Sequence, residues 1–176
     1  MQLLISDANI LIDMEEGRLI EQMFLLPYQF SVPDILFYEE LEEQHTYLLS
    51  KGLQSIGLSS ETMQYAQKII SKYPSPSRND CFALSLAFQE ECSLLTGDKD
   101  LRDAAEKEGV IVMGTIWIVN QMIKNRLITA DEARLAYKNM KITGRRLPWS
   151  IAEAELIDIE RDLSKDAVNS IKPICE

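Results

Sequence analysis

The chain alternates short apolar runs with longer stretches whose apolar residues recur at helical spacing. Five runs bounded by turn residues read as strands, over 2–6, 28–32, 54–58, 93–96 and 110–113. After the second run, Pro33 takes a first helical position with Asp34 beside it. Ile35, Leu36, Tyr38, Leu41 and Tyr47 to Leu49 continue that helix. Further helices are expected over 60–72, from a Ser77 cap to about Glu91, over 101–108 and over 115–124. Such alternation predicts βαβ units, a central parallel sheet of about five strands and an α/β/α sandwich. Beyond about residue 127 the pattern is wholly helical. Asp131 starts one helix, 149–163 forms another, and Gly144 and Pro148 separate them. The expected organisation is a domain over 1–126 with residues 127–176 as its helical C-terminal extension.

Ligands on open parallel sheets collect beyond the C-terminal ends of the strands, and the sequence puts acids there. Asp7 follows the first strand, and Asp98 and Asp100 follow the fourth. Each acid also has a purely structural explanation. Asp7 suits the cap of a helix beginning at Asn9, Asp80 can close a capping box with Ser77, and Asp100 can do so with Asp103. Glu39 and Glu40 belong to a Glu-Glu-Leu-Glu-Glu run that fits a solvated helix face.

Charge narrows the partners. With 18 basic against 28 acidic residues the net charge is −10, which excludes binding to nucleic acid through a whole-surface basic field. The exception is residues 120–150, where seven basic side chains face only Asp131 and Glu132. Within it, Lys138, Lys141, Arg145 and Arg146 are candidate phosphate contacts; the alternative is that they pair with the acidic tail after 150. The single histidine, His45, excludes chemistry that needs two imidazoles. Cys81, Cys92 and Cys175 are too scattered for a disulfide framework or a zinc site. Trp117 reads as core and Trp149 as an anchor for the tail. No segment reads as a targeting signal or a membrane span, so a cytoplasmic protein without a membrane partner is expected.

Four ordered pieces carry more than any single acid: Leu-Ile-Ser-Asp-Ala-Asn at 4–9, Val-Pro followed by a glutamate at 39, Asn-Asp-Cys-Phe-Ala-Leu-Ser-Leu-Ala at 79–87, and Leu-Leu-Thr-Gly-Asp-Lys-Asp-Leu-Arg at 94–102. Together they resemble the PIN domain, the small nuclease fold of VapC-type toxins and RNA-processing factors, over about residues 1–125. The resemblance implies that Asp7, Glu39, Asp80 and Asp98 form a catalytic, metal-holding set, with Asn9 and Thr96 supporting it. Glu40 adjoins Glu39, and spacing from Val32-Pro33 favours Glu39 without excluding its neighbour; Asp100 could supplement Asp98. It further implies a metal-dependent endoribonuclease using Mg2+ or Mn2+, the number of ions left open. RNA, single-stranded or structured, would be its substrate. A small antitoxin protein is an implied partner, and a homodimer is allowed. The alternative is a non-catalytic PIN-like module that binds RNA or protein. Hard cations with oxygen ligands suit a chain nearly without imidazole or thiolate clusters. Receiver and haloacid-dehalogenase folds also place an aspartate after strand one, but Asp7-Ala8-Asn9 lacks the second acid that each requires.

Overall fold

In the computed structural model, which describes residues 1–169, the strands are β1 (Gln2–Ser6), β2 (Tyr28–Pro33), β3 (Gln54–Ile56), β4 (Ser93–Leu95) and β5 (Val112–Met113). They form one sheet in the order β3-β2-β1-β4-β5, every neighbouring pair parallel. The chain therefore starts in the middle, builds outward through β2 and β3, and returns to the other side of β1 for β4 and β5. That reversal makes the gap between β1 and β4 the switch point, where a crevice opens beyond the strand ends. Ile5 pairs with Leu94 and Ser6 with Leu95, and the Asp7 amide donates to Leu95 O at 3.0 Å, carrying the ladder one residue further.

The helices are α1 (Ala8–Glu16), α2 (Ile20–Met23), α3 (Asp34–Leu36), α4 (Glu42–His45), α5 (Tyr47–Lys51), α6 (Ser60–Lys72), α7 (Arg78–Gln89), α8 (Lys99–Lys107), α9 (Thr115–Lys124), α10 (Ala130–Ile142) and α11 (Trp149–Asn169). α7 packs against β1, β2 and β4, flanked by α6 and α8. Lying between sheet and helices, it is buried on nearly every side, through Cys81, Phe82, Ala83, Leu84, Leu86 and Ala87. α1, α2, α9 and α10 form the other helical group. The extension joins the main core. Ala133, Ala136 and Met140 of α10 and Ala152 and Leu156 of α11 are buried in it, while Arg134 bonds Glu153 and Glu160 across the two helices.

Several boundaries depart from the sequence expectation. Pro33 ends β2 and stands outside the first helical turn, because its φ of −58° and ψ of 140° are extended. The continuous helix expected after it is interrupted by a π-helical turn, Phe37–Leu41, so that Phe37 and Leu41 both reach the core. The cap of α8 is Asp98, not Asp100, and α10 is opened by a Thr129–Glu132 capping box one residue before Asp131. The third and fifth strands are shorter than their apolar runs, and α2 was not expected. Among the described residues no helix is long and apolar enough to cross a membrane. Cys81 and Cys92 are free thiols, whereas Cys175 and the end of the extension lie outside the described residues.

Candidate active site

The crevice between β1 and β4 is built on Asp7, Thr96 and Asp98. Asp7 is fully buried at the end of β1 and caps α1, its Oδ1 accepting from the Ile10 amide at 3.0 Å. Its Oδ2 accepts from the Thr96 hydroxyl at 2.5 Å, and the same hydroxyl oxygen accepts from the Asp98 amide at 3.0 Å. One buried threonine thus ties the ends of two adjacent strands together. Asp98 caps α8 through Oδ1, which takes the Leu101 amide at 2.8 Å, while its side chain remains open to solvent. Burial pushes the Asp7 carboxyl up to about 7; the Asp80 and Asp13 charges act in the same sense, against the lowering effect of its hydrogen bonds.

Asp80 performs the capping role that the sequence allowed it. Ser77 Oγ accepts from the Asp80 amide and Asp80 Oδ2 accepts from the Ser77 amide, each at 3.1 Å. That leaves Asp80 Oδ1 without a donor among the described residues. Burial raises its pKa, and the Asp98 charge adds to the rise. Asp80 therefore shares one electrostatic field with both Asp7 and Asp98. Asp7 and Asp98 are the N-caps of α1 and α8 and Asp80 is the third residue of α7, so each acid sits in the partial positive charge of a helix N-terminus. The glutamates are placed differently. Glu39 sits exposed in the π-helical turn and accepts from Arg78 Nη2 at 2.5 Å and Asn79 Nδ2 at 3.0 Å, which hold it below the usual carboxylate range. Glu40 accepts from the same Asn79 Nδ2 at 2.7 Å. Asp100 lies exposed in the first turn of α8.

The other wall comes from the segment joining α10 to α11. Arg145 Nε donates to Asp13 Oδ1 at 2.5 Å, and its Nη2 donates to Asn9 Oδ1 at 3.0 Å. Asp13 is buried, and its second oxygen accepts from the Thr115 hydroxyl at 2.6 Å. This clasp closes a cleft of about 260 Å³ lined by Asn9, Asp13, Gly97, Asp98, Arg145 and Arg146. Two of the four basic candidates therefore reach the crevice. Lys138 and Lys141 are exposed on α10 and line neither this cleft nor the larger one beside it. Arg145 pairs with Asp13 of α1, and Arg134 is the member of the basic segment that pairs with the acidic tail.

Among the described residues, no three His, Cys, Asp or Glu side chains stand close enough to make a metal centre unaided. The donor set nonetheless fits a hard divalent cation. Asp7, Asp80 and Asp98 repel one another, no Lys or Arg pairs with them among the described residues, and Asp80 Oδ1 and Asp98 Oδ2 remain unengaged. Mg2+ is commonly held by one or two carboxylates with water and substrate oxygens filling its octahedron. Glu39 is committed to Arg78 and Asn79 in this geometry.

Sequence reasoning missed Asp13, Thr115 and Arg78. Asn9 and Asp13 are four residues apart and so share a face of α1, the one signal that could have linked Asp13 to the site. Thr115 opens α9 directly beyond β5.

A family model agrees with the motif resemblance. The chain matches the DUF3368 family, described as a PIN domain, over residues 3–161, which carries the match through α10 and into α11. No curated protein matches. Among solved structures the chain is similar to VapBC2 from Rickettsia felis, determined bound to a DNA fragment from their promoter; the two are 14% identical, with 64% of this chain and 98% of that chain covered and a TM-score of 0.45.

Proposed function

Because this chain belongs to the DUF3368 family of PIN domains, we propose that it is a metal-dependent endoribonuclease whose site is the β1–β4 crevice. The single observation that carries the reading is the Asp7–Thr96–Asp98 linkage at the switch point, joined electrostatically by Asp80 and paired with no cation of the protein's own. Mg2+ or Mn2+, when bound, would supply a nucleophilic water at neutral pH and neutralise the scissile phosphate. Asp7 and Asp98 would hold that ion, and Thr96 fixes the orientation of Asp7. Asp80 orients water with its unengaged oxygen. Arg145, braced by Asp13 and Asn9, and Arg146 position the phosphate backbone, with Lys138 and Lys141 reaching phosphates further along. Glu39, with Glu40 beside it, joins the set on release from Arg78 and Asn79, and Asp100 flanks Asp98. The domain core at 1–126 and its extension at 127–176 act as one unit in this scheme.

The finer reading takes RNA as substrate and a small antitoxin as inhibitor, its basic side chains matched to a body of net charge −10. It places the protein in the cytoplasm, with a second copy of the chain as a further partner. A non-catalytic PIN-like binding module is the competing reading, favoured by the Arg78–Glu39 pair and by the absence of a closed three-ligand cluster among the described residues. Cleavage of labelled RNA in Mg2+ or Mn2+ separates the two. The nuclease reading expects cutting by the natural chain and at least a hundredfold loss in Asp7→Asn and Asp98→Asn, both still folded by circular dichroism. Full activity in either variant removes that residue from the mechanism, and no cutting with any divalent ion leaves the binding module.

A further inference from the structure

A second cavity, of about 410 Å³, adjoins the carboxylate cleft and shares Asp13, Gly97 and Arg146 with it. Gly97 is the threshold between them, with open space where a Cβ would stand. The walls of the second cavity combine Arg102 and Arg146 with Met113, Trp117, Leu147 and Pro148. Its charge is not what the composition suggests. Of the two acids that line it, Asp13 is balanced by Arg145, while Glu155 accepts from the neutral Asn120 amide and keeps its single charge against the two of Arg102 and Arg146. The two arginines are unpaired. Ion pairs engage Arg78, Arg134, Arg145 and Arg161, but no carboxylate among the described residues engages Arg102 or Arg146. Arg102 gives one long hydrogen bond, from Nη2 to Thr96 O at 3.3 Å, and a guanidinium carries five N–H donors. Its partner in that bond is the backbone of the residue that links Asp7 to Asp98. Trp117 is only half-buried, although apolar neighbours in sequence suggest a core position.

Unpaired guanidinium groups beside a half-exposed indole and aliphatic side chains, in a space of this size, fit one nucleotide: phosphate on the arginines, base against the apolar wall. We infer that this cavity is a nucleotide subsite which takes one unpaired nucleotide of a single-stranded nucleic acid, immediately beside the scissile phosphate. The position next to the cut rests on the nuclease reading; the binding itself does not. A base paired and stacked within a duplex cannot lay its face on Trp117, so the substrate class is single-stranded. Arg146, Leu147 and Pro148 come from the α10–α11 connection, so the C-terminal extension supplies one wall of the subsite.

The test uses the full chain carrying Trp149→Phe, which leaves Trp117 as its sole indole. Titration with an oligouridine pentamer in EDTA, without divalent ions, should quench Trp117 fluorescence to saturation. Arg102→Gln should weaken that binding roughly tenfold and Arg146→Gln likewise, each losing a hydrogen bond to a charged group. A blunt RNA duplex of the same pyrimidine sequence with its complement should leave the fluorescence unchanged. No saturable quench, equal quenching by duplex, or unchanged affinity in both arginine variants overturns the subsite. Those outcomes leave metal-dependent cleavage to stand or fall separately, whereas saturable quenching by a chain that never cuts RNA removes the nuclease and keeps the pocket.

Discussion

Asp7 does two jobs with two oxygens: it caps α1 and holds the Thr96 hydroxyl. Its burial makes ionisation costly, and that cost sets a pH dependence. The folded pKa, raised to about 7, lies above the unfolded carboxylate value. The associated stability is therefore fully present below about pH 4 and is lost as pH rises through 7, with a slope of at most roughly 1.4 kcal/mol per pH unit. Asp7→Asn cannot ionise and removes that slope. In EDTA, thermal melts of the two proteins should lie close at pH 4 and diverge by pH 8, the Asn variant melting several degrees higher. Parallel curves across that range would show that the carboxylate is not held away from water. A site acid whose replacement stabilises the protein while removing its activity is one that function, not folding, keeps in place.

The elements differ in how far the sequence exposes them. The five strands were legible because each is a short apolar run stopped by turn chemistry, and β1 and β4 placed Asp7 and Asp98 on sight. The π-helical turn was not legible. One added residue shifts the phase of the helix without altering which residue types are apolar, so Phe37 to Leu41 still reads as ordinary helix. The clasp was invisible for a different reason: Asp13 and Arg145 are 132 positions apart, and only the packing of α1 against α10 brings them together. That clasp fixes the α10–α11 connection over the site. Arg145→Ala leaves Asp13 buried with Thr115 as its remaining side-chain donor. The expected cost is roughly 3 kcal/mol, the low end for breaking a buried pair because Arg145 itself is partly exposed. In a chain of this size that lowers Tm by about 6–12 °C. Arg145→Lys should recover part of the loss, since charge returns without the second bond to Asn9. A melt of Arg145→Ala within a degree of the natural chain would mean that the clasp holds nothing.

At the scale of the whole molecule, the fold concentrates opposite charges within a body of net −10. Asp7 and Asp98 stand at the β1–β4 switch point with Asp80 in their electrostatic field, and Arg102 and Arg146 line the cavity that shares Gly97 with the Asp98 cleft. Sequence order alone proposed the aspartates, through their succession along the family motif. It also offered Arg145 and Arg146, through the basic segment at 120–150, but not Arg102, which only the packing of α8 brings to the same crevice. A divalent cation held by the aspartates is detected by calorimetric titration with Mn2+. Run at pH 7 in two buffers of different ionisation heat, the natural chain should bind Mn2+ and release roughly half a proton, because Asp7 with its pKa near 7 must lose its proton as the ion binds. Asp98→Asn should bind at least tenfold more weakly, and Asp7→Asn should in addition release no proton. No binding by the natural chain, or affinity and proton release unchanged in Asp7→Asn, would contradict the account.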